Sequence, residues 1–105
     1  QIKETHSVSA GLDYSGVGPQ IAYLKDTGRI QMRYSLDKEV LKAYELLAKQ
    51  EGIFAALESC HALAEVVKIA PKLGKEKIVV FNCSGRGDKD LFIVSKKFNF
   101  DIYEK

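Results

Sequence analysis

The sequence predicts an α/β fold, a partial three-layer parallel sheet with flanking helices, and three observations carry that prediction. First, a four-residue apolar, β-prone run at 78–81 (IVVF) leads straight into a Ser/Gly turn and then a helix start, the order in which α/β sheets place their ligand sites. Second, Ile30, Met32 and Tyr34 alternate with Gln31, Arg33 and Ser35, a period of two that reads as a half-buried strand. Third, two amphipathic helical patterns separate these runs, and strands joined through helices imply a right-handed parallel crossover.

Each element follows from local chemistry. Residues 5–19 hold three glycines, one proline and four small hydroxyl residues without a sustained period, so residues 1–19 read as an ordered Gly/Ser-rich loop. Pro19 opens a short helix over 20–25 with Ile21 and Leu24 on one face, and Gly28 ends it as a left-handed cap. After the alternating strand, Ser35 or Asp37 is placed to cap a helix in which Val40, Leu41, Tyr44, Leu47 and Ala48 recur at helical spacing. Lys38, Glu39, Lys42, Glu45 and Lys49 lie opposite, and Gly52 closes the helix. Residues 58–70 form a second, more apolar and hence more buried helix carrying Ala62, Leu63, Val66, Val67, Ile69 and Ala70, which Pro71 ends. A basic connection over 72–77 leads to the 78–81 strand, the Ser/Gly turn, and a last short helix over 88–94 with Asp88 as its N-cap.

Composition bounds the possibilities. A chain of 105 residues is one domain at most, and chains of this size bury about two thirds of their unfolded surface. With 46% hydrophobic and 29% charged residues it belongs with globular proteins. Sixteen basic and fourteen acidic residues are dispersed along the chain, with no basic run longer than Lys96-Lys97, so nucleic acid is not an expected partner. No apolar stretch approaches the roughly 20 residues that span a bilayer, and the expectation is a soluble, cytoplasmic protein without a membrane partner. Cys60 and Cys83 lack a C-x-x-C or Cys/His metal spacing and are expected to be free, buried thiols.

Three segments carry a family resemblance: THSVSAGLDYSGVGP (residues 5–19), EGIFAALESCHALA (51–64) and NCSGRGDKD (82–90). In content, order and spacing they resemble the tryptophan synthase beta-chain family, pyridoxal-phosphate enzymes of fold type II. The resemblance covers nearly the whole chain. It implies that residues 1–105 are a single C-terminal piece of a larger pyridoxal-phosphate enzyme fold, one that condenses L-serine with indole to L-tryptophan and water by β-replacement. It also implies an alpha-chain partner and a beta–beta homodimer. The family's Schiff-base lysine and glycine-rich phosphate cup have no counterpart here, so the chain alone is expected to be inactive.

The resemblance assigns roles residue by residue, and each has a plainer reading beside it. Ser84, otherwise a turn hydroxyl, corresponds to the serine that bonds the pyridine nitrogen of the cofactor, with Gly85 and Gly11 as further cofactor-binding positions. Glu58, otherwise a carboxylate favoured by a helix dipole, corresponds to an acid/base glutamate facing the cofactor. Asp13, otherwise a solvated loop carboxylate, corresponds to an aspartate that holds the closed state and contacts substrate. Carbonyls of Leu12, Tyr14 and Gly16 correspond to a monovalent-cation site for Na+ or K+, and carbonyl oxygens suit a hard cation. His61 is expected to pack rather than react. Ser15 departs from the family, where many relatives carry proline; Cys60 and Cys83 stand where a serine and a leucine are usual. Two other readings compete: a separately encoded or excised α/β structural or interaction domain without catalysis, and an adhesion module displaying the Arg86-Gly87-Asp88 triplet.

Overall fold

A computed structural model of the protein describes residues 18–98. The architecture is helical: α1 (Pro19–Asp26), α2 (Asp37–Glu51), α3 (Leu57–Ile69) continued by a 3-10 turn at Ala70–Lys72, then a 3-10 turn at Asp88–Asp90 leading into α4 (Leu91–Phe98). All four helical segments expected from periodicity are present. Pro19 occupies the first turn of α1, where its missing N–H costs nothing. The chain leaves α1 through Gly28 at φ 79°, with Gly28 N–H donating to Lys25 O and Arg29 N–H to Leu24 O, the paired bonds of a Schellman motif. Gly52, at φ 68°, ends α2 and donates to Ala48 O at 3.0 Å. A side chain at that φ would be strained, so glycine sets the length of α2.

Neither Ser35 nor Asp37 caps α2. The cap position falls on Leu36, whose N–H donates to Glu39 Oε1 at 2.8 Å, half of a capping box. That bond, with the Lys68 ammonium 2.9 Å from Glu39 Oε2, holds the Glu39 carboxyl below the usual range and ties α2 to α3.

The core lies between α2 and α3, closed at one end by α4. Val40, Ala43 and Tyr44 from α2 meet Leu57, Cys60 and Ala64 from α3, Ala55 from the segment before α3, and Val94 from α4. Full burial of a Val or Leu side chain is worth about 1.5–3 kcal/mol, and Val40, Leu57 and Val94 are the large aliphatic members. The buried half of α3 is its N-terminal half. Val67, expected inside, is 47% exposed, although the Glu39–Lys68 pair holds the start of α2 beside this end of α3.

The predicted α/β sheet is not formed: no strand occurs among the described residues. Residues 78–81 have the side-chain chemistry of a buried strand, yet Ile78 and Val80 are 88% and 89% exposed. Residues 30–34 likewise form no ladder, and Tyr34 is 81% exposed. The physical reason is that β-propensity describes fit to a pleated, partnered surface. A strand's N–H and C=O groups need a neighbouring ladder, and these two runs do not pair with each other. The described residues therefore form a helical arrangement and not a partial three-layer parallel sheet.

Four long-range hydrogen bonds join the start of α3 to residues 84–90. Gly87 N–H donates to Phe54 O at 2.8 Å. Leu57 N–H donates to Asp90 Oδ2 at 3.0 Å, Ser59 Oγ to Ser84 O at 2.7 Å, and Lys89 Nζ to Glu58 Oε1 at 2.7 Å. Asp88, expected as a cap, is instead the first residue of the 3-10 turn and pairs with Arg86 at 3.3 Å. Asp90, only 3% exposed, does the capping, and it does so for α3 rather than for its own helix.

Replacing Asp90 by alanine removes a charged acceptor and leaves a buried amide of α3 without a partner, so Asp90→Ala is expected to lower the unfolding free energy by about 2–3 kcal/mol. Asp90→Asn, which keeps an acceptor, is expected to lose less than half of that; denaturant titration of both variants measures it. The two thiols, expected to be alike, are not: Cys60 is buried and Cys83 exposed. Burial, with lesser help from nearby Cys83, Asp90 and Glu58, pushes the Cys60 thiol up from 9.0 to about 11. A raised folded-state pKa gives stability that is complete below the unfolded value and lost as pH rises through the folded one. Stability is therefore expected to decline from about pH 9 through about pH 11, and a thiol reagent at neutral pH is expected to label Cys83 at once and Cys60 only on unfolding.

Candidate functional site

Ser84 sits in the segment between residues 78–81 and the 3-10 turn at Asp88–Asp90. Its carbonyl accepts from the Ser59 hydroxyl, and the two hydroxyl oxygens are 3.5 Å apart. Ser84 itself is exposed while Ser59 is 6% exposed. The buried serine thus anchors the backbone of the exposed one. Gly85 follows at φ 71°, and a Cβ there would lie 3.3 Å from the Ala56 methyl; both the backbone angle and the close approach call for glycine. At Gly87 an added side chain would collide with the Ala55 carbonyl oxygen. Small residues at 55, 56, 85 and 87 let the turn lie directly on the start of α3.

Glu58 is the second residue of α3, one step before Ser59, so the same helical turn carries both. One of its oxygens, Oε1, accepts from Lys89, while Oε2 is buried with no hydrogen-bond partner. Its side chain lines a cleft of about 840 Å³ together with Arg33, Tyr34, Ser35, His61 and Glu65. Burial holds the His61 imidazole below its ordinary pKa against the opposing pull of the Asp37 and Glu58 carboxylates, so it is neutral at neutral pH. Its backbone carbonyl accepts from Ser35 Oγ at 3.1 Å. Burial also opposes the charge on Lys89, but hydrogen bonds to Glu58 and Asp90 outweigh it and raise that pKa.

Of the residues singled out from sequence, the fold brings Ser84, Gly85 and Glu58 to the first turn of α3. The cleft takes in Glu58 and not Ser84. Gly11, Leu12, Asp13, Tyr14 and Gly16 lie outside the described residues. No group of His, Cys, Asp or Glu among the described residues is arranged to hold a metal, and no helix there is long and apolar enough to cross a membrane. Arg86 and Asp88 are exposed but bound to each other, and the glycine between them is buried.

Sequence reasoning missed Ser59, Lys89 and Asp90. The signal for Ser59 was present, since a serine at the third position of a helix whose cap is alanine has no capping duty of its own. Asp90 carried no local signal: its partner is Leu57, 33 residues away.

The donor set tests whether an aromatic, phosphate-bearing cofactor fits. An exposed hydroxyl on an anchored backbone, followed by a glycine held in the left-handed region, is suited to the edge of a heterocyclic ring. Nothing among these residues supplies a phosphate cradle of several converging amides, so the described residues fit the ring end of such a molecule only.

No family model matches the chain. It is 56% identical over 96 residues to the tryptophan synthase beta chain of Allorhizobium ampelinum, an alignment that covers 91% of this chain and 24% of that protein. The chain thus spans about a quarter of the length of the curated relative it matches. With more than half of the aligned positions identical along nearly its whole length, the resemblance carried by the three motifs holds, and the chain is related to the tryptophan synthase beta chains.

Proposed function

We propose that the chain works as part of a tryptophan synthase beta chain, an enzyme that replaces the hydroxyl of L-serine with indole on pyridoxal phosphate. The observation that carries this reading is the 56% identity to such a chain. The alpha chain, a second beta chain and a cytoplasmic setting are the partners and place that go with it, and residues 1–105 act as one piece of the larger protein.

Bound pyridoxal phosphate supplies an electron sink for bond cleavage at the amino-acid substrate. The chain's own residues then divide the remaining work. Ser84 offers a neutral hydroxyl to the ring nitrogen, and Gly85 lets the backbone come close. A neutral hydroxyl does not hold that nitrogen protonated as a carboxylate would, which favours elimination and replacement at the β-carbon over transamination. Glu58 is the acid/base group, its carboxyl giving a proton to the departing substrate hydroxyl so that water leaves and taking one back as the indole adduct forms. His61, neutral and beside Glu58 on the cleft wall, packs. Gly11 and Asp13 complete the cofactor and substrate contacts, and the carbonyls of Leu12, Tyr14 and Gly16 take a monovalent cation; these five roles rest on the resemblance alone.

Two substitutions in a full-length beta chain test the reading. Ser84→Ala is expected to weaken cofactor retention and change the cofactor's absorbance, and Ser84→Asp to divert turnover toward transamination; unchanged spectra and product ratios in both refute the role of Ser84. Glu58→Gln keeps the acceptor that Lys89 uses and removes the ionisable proton, so turnover is expected to fall by on the order of 10² or more while stability changes by less than about 1 kcal/mol. A loss of stability with turnover retained makes Glu58 a structural residue.

A further inference from the structure

We infer that Cys60 and Cys83 form a reversible intramolecular disulfide when the chain meets a peroxide, which makes the pair a site of oxidative modification. The reaction needs neither pyridoxal phosphate nor substrate, so it stands independently of the chemistry proposed above.

The register along α3 carries it. Gly87 N–H bonds Phe54 O just before the helix, a Cβ on Gly85 would lie 3.3 Å from the Ala56 methyl, and Ser84 O accepts from Ser59 Oγ at 2.7 Å. As the numbers fall from 87 to 84 their partners rise from 54 to 59, so Cys83 is next in line against Cys60. The spans agree. Two residues of chain, from Gly85 to Cys83, cover at most about 7 Å, and Cys60 stands one turn beyond Ala56, about 6 Å along the axis, with its N–H bonded to Ala56 O at 3.0 Å. A disulfide needs Cα atoms no more than about 7 Å apart, which is the reach of neighbours across two segments packed this closely.

The electrostatics agree with the register. After burial, Cys83 is the largest cause of the raised Cys60 pKa, ahead of Asp90 and Glu58, so the two thiols are near neighbours. Cys60 is fully buried and Cys83 exposed, which divides the work between them. Peroxide reaches the Cys83 sulfur first: an S–O bond forms, the O–O bond breaks, and the other oxygen leaves as water with the thiol's proton, giving a sulfenic acid. The Cys60 sulfur then attacks that sulfur. The S–S bond forms, the S–O bond breaks, and the hydroxyl leaves as water with the Cys60 proton. The two thiols together lose two electrons, and one peroxide is reduced to two waters. A thiol reductant reverses the link by exchange.

The test treats a full-length beta chain carrying these residues with hydrogen peroxide at neutral pH, blocks the remaining thiols with iodoacetamide, and maps the non-reduced digest by mass. Circular dichroism before and after checks that the chain stays folded. The expected product joins the Cys60 and Cys83 peptides, is lighter by two hydrogen atoms than the two reduced peptides together, and disappears with dithiothreitol. Cys83→Ser is expected to leave Cys60 reduced at the same peroxide dose. Cys60→Ala is expected to stop the reaction at the Cys83 sulfenic acid, which dimedone traps; if that variant does not fold, Cys60→Ser takes its place with the same expectation. Free Cys60 and Cys83 in the treated wild type overturn the inference, as does Cys83 carried on to sulfinic acid with Cys60 still free. A disulfide to any other cysteine, or a Cys60–Cys83 link that forms only once the chain is unfolded, overturns it equally.

Discussion

The carboxylate of Asp90 is the constraint on which the rest of this arrangement depends. Helix α3 begins at an alanine that cannot cap it, so its first amide needs an acceptor from elsewhere. Asp90 supplies one from the turn that leads into α4, and in doing so sits 3% exposed against the core. A charge buried so deeply is tolerable only when its oxygens are satisfied. The Leu57 amide and the Lys89 ammonium satisfy them.

Once that bond fixes the start of α3 against residues 84–90, the neighbouring contacts follow in register. Gly87 lies on the Phe54–Ala55 backbone, Gly85 beside the Ala56 methyl, and Ser84 over the Ser59 hydroxyl. The close approach is possible because positions 55, 56, 85 and 87 are alanine or glycine. A hydrogen bond to a charged group contributes roughly 1.5–3 kcal/mol, against about 0–1 for an exposed ion pair. The Asp90–Leu57 bond therefore holds the seam, while the Lys89–Glu58 pair orients a side chain within it.

The proposed chemistry uses both faces of that seam. On one, Ser84 is exposed while its backbone is anchored from beneath. On the other, Glu58 lines a cleft, with one oxygen held by Lys89 and the other buried without a partner. The core below tolerates its own unpaired group, the buried Tyr44 hydroxyl. Burial raises the pKa of that phenol, keeping it neutral, and its ring packs 6.3 Å from that of Phe54 where apolar contact offsets the lost hydrogen bond.

By itself the sequence determined the helices and the family. Periodicity located α1 through α4 because a helix satisfies its backbone within its own segment, and Gly28 and Gly52 marked ends that only a left-handed residue can make. The motifs at 51–64 and 82–90 named Glu58, Ser84 and Gly85 before any geometry was in view. Only the tertiary structure decided the rest. The apolar runs at 78–81 and 30–34 have strand chemistry, yet a strand exists only with a partner, and none is paired among the described residues. Cys60 and Cys83 look alike in sequence and differ in burial because one faces the α2–α3 core. Ser59, Lys89 and Asp90 gained their roles from contacts spanning 25 to 33 residues, a separation at which neither propensity nor spacing carries information, because such pairing exists only once the core has brought the segments together.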